Sequence, residues 1–213
     1  MAQVKKYSLP PTRLIPNSRY PLLHYPNILP SPSPTEVYDI FSGNGWDVQW
    51  IYSYGRTQKS HYHSAAHECM AVLSGEATIR FGVADEPGAD LEESTHGKAR
   101  EDGGVEVKAK VGDVFVLPAG VAHKTFDAEP EGDLKLLTPG DGHRIASDDV
   151  AKVLEGIELS GFTMIGGYPE GGRWDFAVGG EHTGKFEEVW GVPKPDRDPV
   201  LGSDPAGLTG LWS

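Results

Sequence analysis

The chain has 213 residues, a formal net charge of -12 at pH 7, a hydrophobic fraction of 38% and one cysteine, Cys69. The negative charge argues against nucleic acid or an anionic membrane as a partner, because either would repel the chain. A single cysteine excludes an intrachain disulfide and a cysteine-based zinc site. The chain has no apolar run of membrane-spanning length, and MAQVKKYSLPPTR lacks the apolar segment of a secretory signal, so we expect a cytoplasmic protein.

The first elements of the chain are an arm and a short helix. Seven prolines punctuate residues 1–33, which predicts an extended arm that covers the domain or adds a strand to a neighbour. Ser33 is then the expected N-cap of a helix, with Glu36 as its capping-box partner and Gly43 at its end. We assign residues 1–45 to the arm and this helix.

From residue 46 the apolar residues recur with a period of two. Short runs rich in β-branched and aromatic residues alternate with Gly, Pro or polar turns, which predicts an all-β sandwich or small barrel over residues 46–170. Residues 171–213 are again rich in Gly and Pro and predict a C-terminal arm packed on the barrel. The predicted strands are DVQWIYSYG, ECMAVLSG, EATIRFGV, GVEVKAK, DVFVLPAG, HKTFDA, DLKLLT and FTMIGGYP.

Two segments interrupt the strand pattern. Residues 84–104 are acidic and show no apolar period, which predicts a mobile surface loop. Residues 139–161 form a second interruption, in which we expect a helix at about 147–156 with Ser147 as its N-cap.

Three histidines and a glutamate are crowded together after the first predicted strand. His61 and His63 are two residues apart, so on an extended strand both imidazoles point to the same face. After a turn, Glu68 begins the next strand and can return to that face. Two imidazole nitrogens and one carboxylate oxygen suit a divalent first-row metal. A fourth ligand should lie elsewhere, and His123, after a strand and a Pro-Xaa-Gly turn, is the candidate.

The spacing of these residues resembles two motifs of the cupin superfamily. The first motif is matched by Gly55, His61, His63, Glu68 and Gly75. The second motif is matched by GDVFVLPAGVAH, residues 112–123. Asp127 stands where the second motif commonly ends in Asn. The stretches IPN, NGWDVQW, HYHSAAHE, LPAGVAHK and GGYPEGGRWD look like those of single-domain YjlB-type cupins.

The resemblance implies a double-stranded β-helix, the cupin jelly-roll barrel, with a few short peripheral helices and extended N- and C-terminal arms. Residues 139–161 look like an insertion relative to that pattern. The resemblance also implies a divalent metal inside the barrel. Fe²⁺ is favoured, and Mn²⁺, Ni²⁺, Cu²⁺ or Zn²⁺ are alternatives. The implied ligands are His61, His63, Glu68 and His123.

Several ionisable side chains near the implied metal could transfer protons, although packing roles are the alternative for each. Tyr62 lies between two ligands and should point away from them, so we discount it. His67 could donate to Glu68 or cap the mouth of the barrel, and we favour such a role over direct ligation. The catalytic candidates are Tyr54, Tyr168 and His67. Lys124 and His143 are further candidates for proton transfer.

An open metal position in a mostly apolar barrel suits an organic small molecule as substrate. We expect an oxidoreductase of the cupin dioxygenase type. One alternative is a non-redox isomerase or lyase in which the metal polarises a carbonyl, and another is a non-catalytic binding protein. We also expect a homodimer, since barrel cupins often bury a sheet edge by exchanging N-terminal strands.

Overall fold

The protein is described by a computed structural model over residues 3–213, and two antiparallel sheets dominate it. The seven-stranded sheet has the order β1-β2-β7-β4-β10-β3-β9, and the three-stranded sheet has the order β6-β5-β8. The expected all-β jelly-roll barrel is confirmed. Its strands are β1 (Lys5–Tyr7), β2 (Leu22–Tyr25), β3 (Trp46–Tyr54), β4 (Glu68–Ser74), β5 (Glu76–Phe81), β6 (Val105–Lys110), β7 (Val114–Leu117), β8 (His123–Glu129), β9 (Lys135–Leu136) and β10 (Phe162–Pro169).

The large sheet is buried on both faces, so its strands read as nearly continuous apolar runs. In β4, Met70 and Val72 point into the barrel, whereas Cys69 and Ala71 point to an outer apolar layer. This alternation follows from the two-residue period of a strand. The barrel interior therefore has one core, and a second core lies between the sheet and the segments that cover its outer face.

Five short helices surround the sheets. The first begins as expected, because the Ser33 side chain accepts a hydrogen bond from the amide of Glu36 at 3.2 Å. None of the helices in the described part of the chain is long and apolar enough to cross a membrane. The helices are α1 (Pro34–Gly43), α2 (Leu91–His96), α3 (Val150–Glu155), α4 (Phe186–Trp190) and α5 (Leu208–Leu211).

The segment 84–104, expected to be a mobile surface loop without an apolar period, contains the short helix α2. Asp90 caps the helix by accepting hydrogen bonds from the amides of Glu92 and Glu93. The guanidinium of Arg80 on β5 donates to the backbone carbonyls of Ser94 and Thr95 at 3.0 and 2.7 Å. Long-range contacts from a buried arginine supply the order that the local sequence lacks.

The helix expected at 147–156 is present but shorter, and Ser147 is not its cap. Asp149 is the N-cap of α3, and its carboxylate accepts a hydrogen bond from the amide of Lys152 at 3.1 Å. The Ser147 hydroxyl instead accepts from the amide of Asp149. Both side chains are good caps, and the one nearer the apolar helix residues takes the position.

The N-terminal and C-terminal arms cover the outer face of the large sheet and contact each other. β2 of the N-terminal arm pairs with β7 of its own chain, with Leu23 opposite Val116. The indole N–H of Trp212 donates to the carbonyl of Pro21 at 2.8 Å, and its ring stacks on Tyr20 at 5.2 Å. Each arm therefore anchors the other against the barrel.

The C-terminal arm is organised around one fully buried carboxylate. Asp198 accepts hydrogen bonds from the amides of Val200, Leu201 and Leu208 at 2.8 to 2.9 Å, and from the hydroxyl of Tyr25 on β2. Burial, followed by the charge of Asp198, raises the pKa of Tyr25, so its hydroxyl remains a donor. A buried charge that is fully hydrogen-bonded gives this arm one defined path.

Candidate metal centre

Three histidines meet at one end of the barrel interior. The backbones of His61 and His123 form an isolated antiparallel bridge. The amide nitrogen of His61 lies 3.1 Å from the carbonyl oxygen of His123, and the amide nitrogen of His123 lies 2.8 Å from the carbonyl oxygen of His61. The His63 ring lies 5.4 Å from each of their rings, and the rings of His61 and His123 lie 4.2 Å apart. One nitrogen from each residue lies within 4.8 Å of the other two, and all three side chains are buried.

Each of these imidazoles is oriented by a backbone carbonyl. The Nδ1 atom of each ring lies within hydrogen-bond distance of a carbonyl oxygen, which assigns the N–H to Nδ1 and leaves Nε2 as an acceptor. Carbonyls in this position fix the tautomer and rotation of metal-binding histidines. The acceptors are the carbonyls of Lys59 for His61 (3.2 Å), Asp175 for His63 (2.5 Å) and Val121 for His123 (3.3 Å).

Glu68 completes the cluster from the start of β4. Its Oε1 atom lies 3.2 Å from Nε2 of His63, and its Oε2 atom lies 3.4 Å from Nε2 of His123. Oε1 also accepts a hydrogen bond of 2.5 Å from the hydroxyl of Tyr168, which in turn accepts from the indole N–H of Trp50 at 3.0 Å. Oε2 is buried and has no hydrogen-bond partner in the described part of the chain.

The electrostatics of the cluster favour neutral imidazoles beside an ionised carboxylate. Burial lowers the pKa of His61 well below its usual range, and burial also lowers that of His123 to about 4. Burial alone would raise the pKa of Glu68, but the charges of His63 and His123 dominate and lower it to about 2. His63 differs: the charge and hydrogen bond of Glu68 outweigh burial and raise its pKa.

These four residues fit a divalent metal. One ring nitrogen of each histidine faces the other two, and Oε2 of Glu68 is buried beside them without a hydrogen-bond donor. Nitrogen ligands with one carboxylate are typical of first-row transition metals. Of the three histidines, Glu68 lies beside His63 and His123, while the three histidines form the tighter group. The structure thus brings together the residues expected from the sequence.

The cluster lies at the base of an open, aromatic cavity of about 550 Å³, a volume that includes its mouth. Trp50, Tyr52 and Tyr54 alternate along β3, and all three point into this cavity. The other lining residues, besides the four of the cluster, are Gln58, Met70, Leu134, Tyr168, Trp174 and Phe176.

The C-terminal arm supplies one wall of the cavity, which sequence reasoning missed. The ring of Phe176 stacks on His61 at 4.1 Å. The carboxylate of Asp175 accepts hydrogen bonds from the amide and hydroxyl of Ser64 at 2.6 and 2.8 Å. The backbone of Ala177 pairs with that of Tyr62. The only signal in the sequence was the family-like stretch GGYPEGGRWD, which gave no role to its last residues.

Trp174 connects this wall to the segment 139–161. Its indole N–H donates to the carbonyl of Gly142 at 3.0 Å, and its ring stacks on His143 at 4.2 Å. The same ring lies 5.4 Å from that of His63. His143 thus contacts the outer side of a cavity wall but does not line the cavity.

The catalytic candidates take three different positions. Tyr54 lines the cavity, and burial followed by the charge of Glu68 raises the pKa of its hydroxyl. Tyr168 also lines it, but its hydroxyl is held between Trp50 and Glu68. His67 lies outside the cavity: its Nδ1 accepts from the amide of Ala119 at 2.9 Å, and its Nε2 donates to the carbonyl of Pro193 at 3.0 Å. We therefore keep Tyr54 and Tyr168 as site residues and give His67 a structural role.

Two further side chains considered from the sequence also point away from the cluster. The hydroxyl of Tyr62 lies 2.8 Å from Nδ1 of His182, on the outer side of the bridge. The ammonium of Lys124 donates to Asp85 at 3.0 Å and to the hydroxyl of Ser94 at 3.0 Å. Neither residue lines the cavity.

Comparison with known proteins finds similarity to cupins over part of the chain. A family model described as "Cupin" matches residues 58–132. The uncharacterized protein YjlB of Bacillus subtilis is 26% identical over 206 residues, which cover 94% of this chain and 92% of that protein.

Two solved structures are among those that match this chain. The vicilin of Corylus avellana is 12% identical, with a TM-score of 0.29, over 71% of this chain and 29% of that chain. The 3,4-ketoisomerase QdtA of Thermoanaerobacterium thermosaccharolyticum is 13% identical, with a TM-score of 0.31, over 61% of this chain and 62% of that chain. The chain thus spans less than two thirds of the length of either protein.

Proposed function

We propose that the chain is a cupin and a metal-dependent enzyme that acts on an organic small molecule, and specifically an oxidoreductase of the dioxygenase type. One observation carries the proposal: three Nε2 atoms and a carboxylate oxygen converge at the base of an open, aromatic cavity. When bound, a redox-active divalent metal supplies the activation of dioxygen. Fe²⁺ is our first choice, with Mn²⁺, Ni²⁺, Cu²⁺ and Zn²⁺ as alternatives.

The roles of this chain's own residues follow from their contacts. His61, His63 and His123 would hold the metal through Nε2, with each Nδ1–H fixed by a carbonyl. Tyr168 orients Glu68 by donating to Oε1, so that Oε2 is free to bind. The aromatic side chains of the cavity exclude water from the reacting atoms.

The composition of the cavity favours redox chemistry over proton abstraction. A non-redox isomerase or lyase needs a general base near neutral pH beside the substrate. Apart from the four ligands, the ionisable residues that line the cavity in the described chain are Tyr52, Tyr54 and Tyr168. Burial raises the pKa of each hydroxyl, so none is a base at neutral pH. We therefore place the isomerase or lyase reading second.

Elemental analysis followed by oxygen uptake tests the proposal. The protein purified from its native host should contain iron or another redox-active metal. An iron-loaded sample should consume dioxygen in the presence of fractions of the host's small molecules, while the zinc-loaded sample should not. Turnover with zinc under anaerobic conditions would instead support the isomerase or lyase. Ligand binding without turnover under either condition would support a non-catalytic binding protein.

We also propose a homodimer formed by exchange of the N-terminal arm. In the single chain, β2 is fully buried and pairs with β7, and the proline-rich segment 26–33 joins it to the barrel. An exchanged arm would make the same β2–β7 contacts with a second copy, so exchange costs little contact energy.

A further inference from the structure

The walls of the cavity contain no charged side chain beyond the metal ligands. Among the residues that line it in the described chain, Glu68 is the only acidic one, and lysine and arginine are absent. The neutral polar side chains among them are those of Gln58, Tyr52, Tyr54 and Tyr168. Six of the lining residues are aromatic: Trp50, Tyr52, Tyr54, Tyr168, Trp174 and Phe176.

The mouth of the cavity carries exposed apolar side chains. Leu134 and Phe176 are each 53% exposed, although both are large and apolar. Leu134 follows the barrel strand β8, and Phe176 lies on the C-terminal arm. Both side chains line the same cavity. Exposed apolar residues that converge at a cavity mouth mark a surface that a ligand covers.

We propose that the substrate of this site is an uncharged, planar aromatic molecule whose ring system contacts Trp174, Phe176 and Leu134. Only the orientation of that molecule, with its reacting end toward the metal ligands, rests on the proposed function. Stacking suits this cavity because the indole of Trp174 is already held in place by Gly142 and His143. A fixed aromatic wall binds a planar ring without loss of its own rotational freedom.

Charge gives an independent argument for a neutral ring system. A carboxylate, sulfonate or phosphate placed away from the metal would be buried without a cationic partner, in a chain of net charge -12. An ammonium group placed away from the metal ligands would find aromatic faces and neutral hydroxyl and amide groups, but no carboxylate partner. A charged substituent would therefore lack an ion-pair partner anywhere except at the metal itself.

Three probes of equal carbon skeleton test the proposal by calorimetry on the zinc-loaded protein. The first is 2-naphthol, which is planar and uncharged. The second is 6-hydroxynaphthalene-2-sulfonate, whose hydroxyl can approach the metal while its sulfonate must occupy the outer cavity. The third is decahydro-2-naphthol, which is uncharged but not planar. We expect 2-naphthol to bind at least about tenfold more tightly than either of the others.

Variants at the mouth locate the binding surface. Phe176→Ala and Leu134→Ala should each weaken 2-naphthol binding by about three- to tenfold, because each removes a contact with the ring. Val178→Ala is the matched control, since Val178 lies two residues along the same arm, is 40% exposed and does not line the cavity. All three side chains are exposed enough that the fold should tolerate their truncation.

The outcomes separate this inference from the proposed function. Equal affinity for the sulfonate or the decahydro compound, or unchanged affinity in both Phe176→Ala and Leu134→Ala, would overturn the aromatic assignment. Selective 2-naphthol binding to a protein that shows no oxygen uptake would support the assignment and count against the oxidoreductase. Oxygen uptake with a charged or aliphatic host compound, without 2-naphthol binding, would support the oxidoreductase and count against the aromatic assignment.

Discussion

Tyr168 connects the barrel core to a metal ligand through one hydroxyl group. That hydroxyl accepts a hydrogen bond from Trp50 and donates to Glu68. It is therefore a positioning residue, and its loss should affect the carboxylate more than the substrate. The glycine at 166 makes this arrangement possible, because any Cβ there would overlap the ring of Trp50.

Tyr168→Phe should lower metal affinity by about 10- to 100-fold, because Glu68 loses the donor that orients it. Competition titration with a chelator measures this affinity. Tyr62→Phe is a matched control: it also removes a buried tyrosine hydroxyl with a hydrogen bond, but on the outer side of the cluster. Equal metal affinities of the two variants would show that Tyr168 does not position the ligand.

His67 makes stability depend on pH. Burial lowers its pKa from 6.5 to about 4. The unfolded chain therefore takes up a proton below pH 6.5 that the folded protein accepts only near pH 4. The contribution of the neutral imidazole to the free energy of unfolding is fully present above pH 6.5. It is lost as the pH falls to about 4, by up to about 3 kcal/mol.

The His67 contribution can be isolated by comparing the wild type with His67→Gln in urea unfolding. The variant should lose less of its free energy of unfolding than the wild type between pH 7 and about 4.5. Other histidines titrate in both proteins, so only the difference between the two is informative. Parallel pH profiles would mean that this residue stays accessible to protons in the folded state.

At the scale of elements, the two arms have the largest effect on the site. The C-terminal arm crosses the cavity at residues 174–177 and is then held by Asp198, Trp212 and the N-terminal arm. A glycine-rich arm whose regular structure is limited to the two short helices α4 and α5 would otherwise sample many paths. The few buried polar contacts of this arm therefore determine whether the cavity has a wall.

Asp198→Ala should destabilise the protein by about 3 kcal/mol or more, because three backbone amides and the hydroxyl of Tyr25 lose a charged acceptor. Urea unfolding measures this loss. Trypsin should also cleave faster after Arg197, which directly precedes the anchor. Asp196→Ala, an exposed neighbour, should match the wild type in both assays. If the free energy of unfolding of Asp198→Ala were close to that of the wild type, the arm would be held by other contacts.

The elements show what the sequence could and could not reveal. Strands and the four-residue ligand set were accessible because a period of two and fixed motif spacing are local patterns. The wall formed by Trp174 and Phe176 was not, since their positions depend on a crossing that only the complete fold defines. Helix α2 was missed for a related reason: its anchor, Arg80, lies on a different strand.

For the whole molecule, metal binding should act as a stabilising linkage. A divalent metal at about 100 times its Kd would add about 2.7 kcal/mol to the free energy of unfolding. For a chain of this length, that corresponds to a rise in Tm of about 5–10 °C. Differential scanning fluorimetry with and without added Fe²⁺ or Zn²⁺ measures the change. His123→Ala should show no rise, and a rise equal to that of the wild type would place the metal elsewhere.

The oligomeric state is tested by light scattering. A dimer would have twice the 23.0 kDa mass of the chain. Deletion of residues 1–30 removes β2 and should both yield monomers and lower Tm, because the edge of β7 then lacks its partner. A wild-type monomer, or a truncated protein of unchanged subunit number and stability, would contradict arm exchange.

The carbonyl of Asp175 that orients His63 lies more than a hundred residues after it, in the last fifth of the chain. During synthesis on the ribosome, the nascent barrel strands therefore emerge long before this acceptor does. His63 has its orienting partner only when translation is nearly finished. Binding of the proposed metal in its final geometry would therefore have to wait until the C-terminal arm has been synthesised.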